Sequence, residues 1–377
     1  MTTGSAGTDQ IRPFQIDIPG SDLDDLKDRL AKMNWPDELP DVGWEYGVPK
    51  GFVRELAEHW ATTYDWRAWE SRLNSYPQFT TTIDGQNIHF LHVRSSEDGA
   101  FPLILTHGWP GSVVEYLDVI DWLSDPQSHG AEATDAFDLV IPSLPGFGFS
   151  GPTRERGWNR YRTAAAWAEL MRRLGYERYG AVGNDAGSMI SPELGRIDPD
   201  HVVGVHVTQI FSFPSGDPSE MADLSEEEQR ELSTLQWFLE NKMSFNQLMS
   251  QQPQTLAYSL FDSPVGLLAW NAQLFDEGMD RDFVLTNVML YWLTGTAGSA
   301  ARFYYEDAHA TAPNQPTTAP TGVAAFAGDL SGIRRFANRD HQNIVRWSTF
   351  DRGGHFAAFK VPDLLVGDVR AFFRDLR

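Results

Sequence analysis

The sequence predicts an α/β fold: a mostly parallel sheet with helices on both faces, interrupted by a helical insertion. Three observations predict it. From Pro102 onward, short apolar runs alternate with helical stretches, the texture of strands buried on both faces. After Gln209 the pattern turns helical for about a hundred residues rich in Trp, Phe, Tyr and Met. Strand signals then return at TGVAAFAGD and NIVRWSTF, so the helical stretch sits inside the sheet's sequence as a lid.

The elements follow in order. The first ten residues, MTTGSAGTDQ, read as a flexible tail. Ser21 to Lys32 has a serine cap, early acidic residues and leucines at helical spacing, and predicts a helix. A second helix is expected over Gly51 to Thr63. Phe79 to Val93 is rich in β-branched and aromatic residues around Asp84-Gly85, the signature of a hairpin. PLILTH, FDLVIPS, RYGAVGN and HVVGVHVTQ are the buried strands, with helices expected over Val113 to Leu123 and Thr163 to Leu174. Ala310 to Gly322 is polar and proline-rich, a loop between larger units, and a last helix covers Asp363 to Leu376. The expected division is a leading segment over 1–93, a first core part over 94–210, a helical lid over 211–315 and a second core part over 316–377.

Composition narrows the partners. Thirty basic residues against fifty-two acidic ones give a formal charge of -22, which argues against nucleic acid and anionic membranes as partners. The absence of cysteine excludes disulfide and thiolate chemistry, and a reducing cytoplasm fits it. The N-terminus lacks the basic and apolar regions of a signal peptide, and no apolar run is long enough to span a bilayer. A homo-oligomer is compatible with all of this.

The chemistry begins at Gly183-Asn184-Asp185-Ala186-Gly187, between the strand RYGAV and a helix. This is the G-x-nucleophile-x-G elbow of the α/β-hydrolase fold, with aspartate where esterases carry serine. Small flanking residues are needed because the turn is tight and its central residue strained. The aspartate decides the reaction class. Attack of a carboxylate on an ester would give an anhydride, which is unproductive. Attack on an sp3 carbon that bears a leaving oxygen or halide gives an ester of the enzyme, which water can cleave. Epoxides and alkyl halides are therefore the expected substrates. Upstream, His107-Gly108-Trp109-Pro110-Gly111-Ser112 follows PLILT, and a loop there can aim the Trp109 amide, together with that of Ala186, at a developing oxyanion. His355, in Arg352-Gly353-Gly354-His355-Phe356, is the last histidine of the chain, where the hydrolase order puts the base. Asp329, at the end of VAAFAGD, is the expected acid behind it, with Asp351 as the rival. No metal or organic cofactor is required.

Together these residues resemble the microsomal-type epoxide hydrolases, their soluble bacterial relatives and the juvenile-hormone epoxide hydrolases. The resemblance covers nearly the whole chain. PFQIDIP…LKDRLAKMNWP is similar to that family's N-terminal segment, which wraps around the core, and HGWPGS, IPSLPGFGFSGP, DSPVGLLAW, NVMLYWLTGT, RFYYED, PTGVAAF and RGGHFAAF are similar to its blocks. The resemblance implies Asp185 as nucleophile, His355 as base and Asp329 as acid, a position often glutamate in animal members. It also implies two lid tyrosines that hydrogen-bond the epoxide oxygen. Tyr304 matches one; the other falls on Phe245, which has no hydroxyl, leaving Tyr258, Tyr291 or Tyr305 as substitutes or Tyr304 as sole donor. Ala186 stands where the family often has tryptophan, which implies a larger pocket beside the nucleophile.

The expected activity is hydrolysis of a small-molecule epoxide to a vicinal diol through an alkyl-aspartate ester, in detoxification or secondary metabolism. Two alternatives stay open: a haloalkane dehalogenase, whose halide site commonly uses an indole where Ala186 stands, and a non-catalytic ligand-binding relative.

Overall fold

The computed structural model describes residues 10–275, 278–330 and 332–377. Apart from Gln10, the tail expected over the first ten residues lies outside them. Strand β1 (Arg12–Phe14) leads into helices α1 (Gly20–Ala31), α2 (Lys50–Thr62) and α3 (Trp66–Asn74). The first two match the expected helices to within a residue or two. The third went unforeseen, although the Asp65 side chain caps it by accepting from the amides of Arg67 and Ala68. The hairpin is β2 (Gln78–Ile83) and β3 (Gln86–Val93). Asp84 and Gly85, at φ 48° and 73°, form its turn, with the two positive φ values that a two-residue hairpin of this hand requires.

The core follows as β4 (Phe101–Thr106), α4 (Leu117–Ser124), β5 (Phe137–Pro142), α5 (Arg160–Arg173), β6 (Tyr179–Gly183), α6 (Ala186–Ile197) and β7 (Val202–Val207). A short 3-10 turn over Val113–Tyr116 precedes α4, where one continuous helix was expected. The lid is α7 (Glu226–Asn241), α8 (Ser244–Gln251), α9 (Pro253–Asp262), α10 (Pro264–Ala272), α11 (Arg281–Thr294) and α12 (Ala297–Ala308). The chain then returns through β8 (Thr321–Phe326), α13 (Arg334–Asp340), β9 (Ile344–Phe350), α14 (Ala357–Lys360) and α15 (Pro362–Arg374). No helix among the described residues is long and apolar enough to cross a membrane.

One nine-stranded sheet runs β1-β2-β3-β5-β4-β6-β7-β8-β9, antiparallel from β1 to β5 and parallel from there on. Leu103, Ile104 and Leu105 of β4 and Leu139, Val140 and Ile141 of β5 are all buried. Consecutive residues on a strand point to opposite faces, so both faces are covered, as their unbroken apolar runs predicted. The leading segment has two attachments. Its strands extend the sheet, while its helices pack on the lid as well as the core. Trp60 lies against Met289, Tyr64 hydrogen-bonds Thr286 at 2.9 Å and His59 meets Asp282 at 2.6 Å, all on α11. The lid is therefore held between the sheet and the N-terminal helices.

Candidate active site

Strand β6 ends at Gly183 and α6 begins at Ala186, so Asp185 sits in the bend between them at φ 53° and ψ -118°. A non-glycine residue with this backbone is costly and is retained only where its surroundings impose it. Glycines make the bend possible. A Cβ on Gly183 would lie 2.0 Å from the Gly187 carbonyl oxygen, and one on Gly187 would lie 1.8 Å from that of Thr106. Gly108 meets the same limit from the other side, since a Cβ there would come within 1.9 Å of Asp185 Oδ1.

The two oxygens of the Asp185 carboxyl have different surroundings. Oδ1 accepts from the Trp109 amide at 3.0 Å, and the Ala186 amide also donates to the carboxyl. Oδ2 faces Nε2 of His355 at 3.9 Å. Burial raises the pKa of Asp185, while His355 and the two amides oppose the rise. On the far side of the imidazole, Nδ1 lies 3.1 Å from Asp329 Oδ1. Burial pushes His355 down, but the carboxylates of Asp329 and Asp185 outweigh it and bring the imidazole to about 9. Asp351, the rival acid, is exposed on its loop. Asp329 therefore partners the ring.

An aromatic cluster stands over this carboxyl. Trp109 stacks on Phe245 at 5.2 Å between ring centres, and the Tyr304 ring stands edge-on to both, 6.3 Å from Trp109 and 6.0 Å from Phe245. Trp270 of α10 packs on Trp109 at 6.3 Å, and its buried indole N–H has no partner among the described residues. Burial first, and the Asp185 charge second, raise the Tyr304 phenol well above its usual value, so it stays protonated. The other three tyrosines differ. Tyr291 is buried, but its hydroxyl donates to the Gly111 carbonyl at 2.6 Å and so braces the Trp109 loop. Tyr258 is 73% exposed, and Tyr305 is exposed and stacked on His309. Neither joins the cluster, which corrects their expected place in the substrate site. The reason is helical geometry: adjacent residues on α12 point about 100° apart, so Tyr304 faces inward and Tyr305 outward. On α9 the buried positions are Pro253, Leu256 and Leu260, and Tyr258 lies on the opposite face.

Two residues of the site escaped sequence reasoning. Gln209 lies two residues beyond β7 with both ends of its amide engaged at the elbow and at the acid. Glu115 is fully buried beneath the loop, and desolvation pushes its carboxyl up to about 8. Its Oε1 accepts from Asn184 Nδ2 at 3.3 Å, and Oε2 has no partner among the described residues. A lone acid in the apolar run VVEYL was a signal for Glu115; nothing local marks Gln209. Among the described residues, no group of three or more His, Cys, Asp or Glu is arranged to hold a metal ion.

Known proteins match nearly the whole chain. Residues 11–116 match the family described as epoxide hydrolase N terminus, and residues 102–255 match the alpha/beta hydrolase fold. A Stigmatella aurantiaca (strain DW4/3-1) protein named "Putative epoxide hydrolase" is 43% identical over 378 residues, covering 97% of this chain and 86% of its own. Epoxide hydrolase 1 of Sus scrofa is 32% identical, covering 98% of this chain and 89% of its own. Among solved structures, the Aspergillus niger epoxide hydrolase superposes with a TM-score of 0.86 at 30% identity, covering 99% of this chain and 98% of its own.

Proposed function

The chain belongs to the microsomal-type epoxide hydrolase family of the α/β-hydrolase fold and hydrolyses epoxides, and from that premise we propose how its own residues divide the reaction. The unequal surroundings of the two Asp185 oxygens carry the reading. Oδ1 accepts from the Trp109 amide, whereas Oδ2 faces His355 and attacks the epoxide carbon from behind. The carbon–oxygen bond of the ring breaks, and Tyr304 donates to the departing oxygen. Oδ1 becomes the ester carbonyl and already lies on the Trp109 amide, so the oxyanion formed in the second step is solvated in advance. His355 takes a proton from water through Nε2, with Nδ1–H held by Asp329. The hydroxide attacks the ester carbon, the bond from that carbon to Oδ2 breaks, and the imidazolium returns the proton to the departing diol oxygen. The proton left on the Asp185 carboxyl passes to the Tyr304 phenolate and restores both groups.

The charges order the two steps. Before alkylation, the Asp185 carboxylate is one of the charges that hold His355 protonated, near 9. Ester formation removes that negative charge, lowers the basicity of His355 and frees Nε2 to accept a proton when the second step needs it. A cytoplasmic location fits the cysteine-free chain.

Oxygen labelling tests the covalent route. With enzyme in excess over styrene oxide in 18O-labelled water, the first diol carries the unlabelled Asp185 Oδ2, and mass spectrometry finds the label in the Asp185 carboxyl. Label in the first diol means direct attack by water and removes the ester from the mechanism.

Tyr304→Phe is expected to slow ester formation by roughly 100-fold, the lower end of what a general acid contributes. The Phe245→Tyr exchange adds a second hydroxyl to the same cluster and is expected to raise that rate on small epoxides. Stopped-flow single-turnover measurements compare the variants. An unchanged alkylation rate in Tyr304→Phe excludes the phenol as donor.

A further inference from the structure

We propose that Gln209 is a positioning residue that ties the nucleophile elbow to the acid–base pair and sets the pH at which the ester is hydrolysed. This role rests on the assignment of Asp185, His355 and Asp329 made above. Gln209 is 2% exposed, and its amide spans the gap between two parts of the site that are far apart in sequence. Its Oε1 accepts from the Asp185 backbone N–H at 2.7 Å and lies 3.2 Å from the Ser188 hydroxyl. Its Nε2 donates to Asp329 Oδ2 and lies 3.1 Å from His355 Nδ1.

Chemistry permits one orientation of this amide. A backbone N–H can only donate, so the atom facing it is the oxygen. An ionised carboxylate can only accept, so the atom facing Asp329 is the nitrogen. Two consequences follow. Gln209 occupies Oδ2 of Asp329 and leaves Oδ1 for the imidazole, 3.1 Å from Nδ1, which fixes the angle of the carboxylate. It also sets the positive end of an amide dipole beside Nδ1, which carries a proton in the working tautomer. That dipole and the bond to Asp329 both oppose protonation of His355 and offset part of the pull from Asp329 and Glu115, the carboxyl groups that act on the ring once Asp185 is esterified. Removing the amide, or replacing its nitrogen with oxygen, therefore makes His355 more basic. The base must be neutral to activate water, so the acid limb of the hydrolysis step moves to higher pH.

Gln209→Glu and Gln209→Leu test this. Glutamate keeps an acceptor for the Asp185 N–H but turns a carboxylate oxygen toward Asp329. Leucine removes both bonds at similar volume. The two steps are read separately with styrene oxide, by rapid quench and intact-protein mass spectrometry of the Asp185 adduct across pH. Gln209→Glu is expected to alkylate within about 3-fold of wild type, to raise the acid limb of hydrolysis by about one pH unit, and to regain the wild-type rate above it. Gln209→Leu is expected to slow hydrolysis roughly 10- to 100-fold, because the Asp329 carboxylate loses its fixed angle. A Gln209→Glu enzyme with the wild-type pH limb overturns the proposal, as does an equal slowing of both steps at every pH, the mark of a merely structural residue. If Gln209→Leu does not fold, Gln209→Glu decides alone. Failure of the underlying assignment looks different: no adduct on Asp185 then forms in the wild type or in His355→Gln.

Discussion

Asp185→Asn is expected to lose roughly 10⁴-fold or more in turnover, the scale seen when one member of a catalytic triad is removed. The two environments of the carboxyl explain why. The Trp109 amide needs an acceptor, so the asparagine carbonyl takes the place of Oδ1 and its NH2 takes that of Oδ2. The atom aimed at the epoxide carbon is then a neutral amide nitrogen with no available lone pair. The fold is expected to survive, because asparagine is among the few residues found with positive φ and Asp185 sits at 53°. Initial rates on freshly purified protein check this, with mass spectrometry to exclude deamidation back to aspartate. A near-normal initial rate would remove Asp185 as the nucleophile.

His355→Gln is expected to separate the two steps. Alkylation needs only ionised Asp185 and a donor for the epoxide oxygen, whereas hydrolysis needs a base. The variant should accumulate protein heavier by the mass of one epoxide, with steady-state turnover lower by roughly 10⁴-fold. Alkylation should change in one respect. His355 lowers the pKa of Asp185, so its loss raises that pKa, and the pH below which alkylation fails moves upward. Intact-protein mass spectrometry of the adduct against pH measures both effects. Multiple turnover at the wild-type rate with no adduct would refute the role of His355.

Much of this site was legible because local geometry writes itself into local sequence. The elbow required two glycines around Asp185, because a Cβ on either would lie 1.8–2.0 Å from a backbone oxygen. The hairpin turn required residues tolerant of positive φ, and Asp84-Gly85 supplied them. Strands buried on both faces appeared as unbroken apolar runs, and the order of aspartate, acid and histidine followed the order of the strands that carry them. The third helix went unforeseen, although Asp65 caps it and Trp66 and Leu73 are buried.

By itself the sequence determined the tight bend at Asp185, the succession of strand ends that bear Asp185, Asp329 and His355, and the helical insertion between β7 and β8. The tertiary structure alone decided which side chains meet. Asp329 and not Asp351 reaches the imidazole, because β8 runs parallel to β9 and brings its end beside the His355 loop. Tyr304, and neither Tyr258 nor Tyr305, joins the cluster of Trp109 and Phe245, because the packing of the lid helices selects which stripe of each turns inward. Gln209 joins the Asp185 backbone to Asp329 across 24 and 120 positions of chain. No periodicity or local motif encodes contacts of that range. The order of strands in the sheet sets them, and that order results from burying all the apolar runs at once.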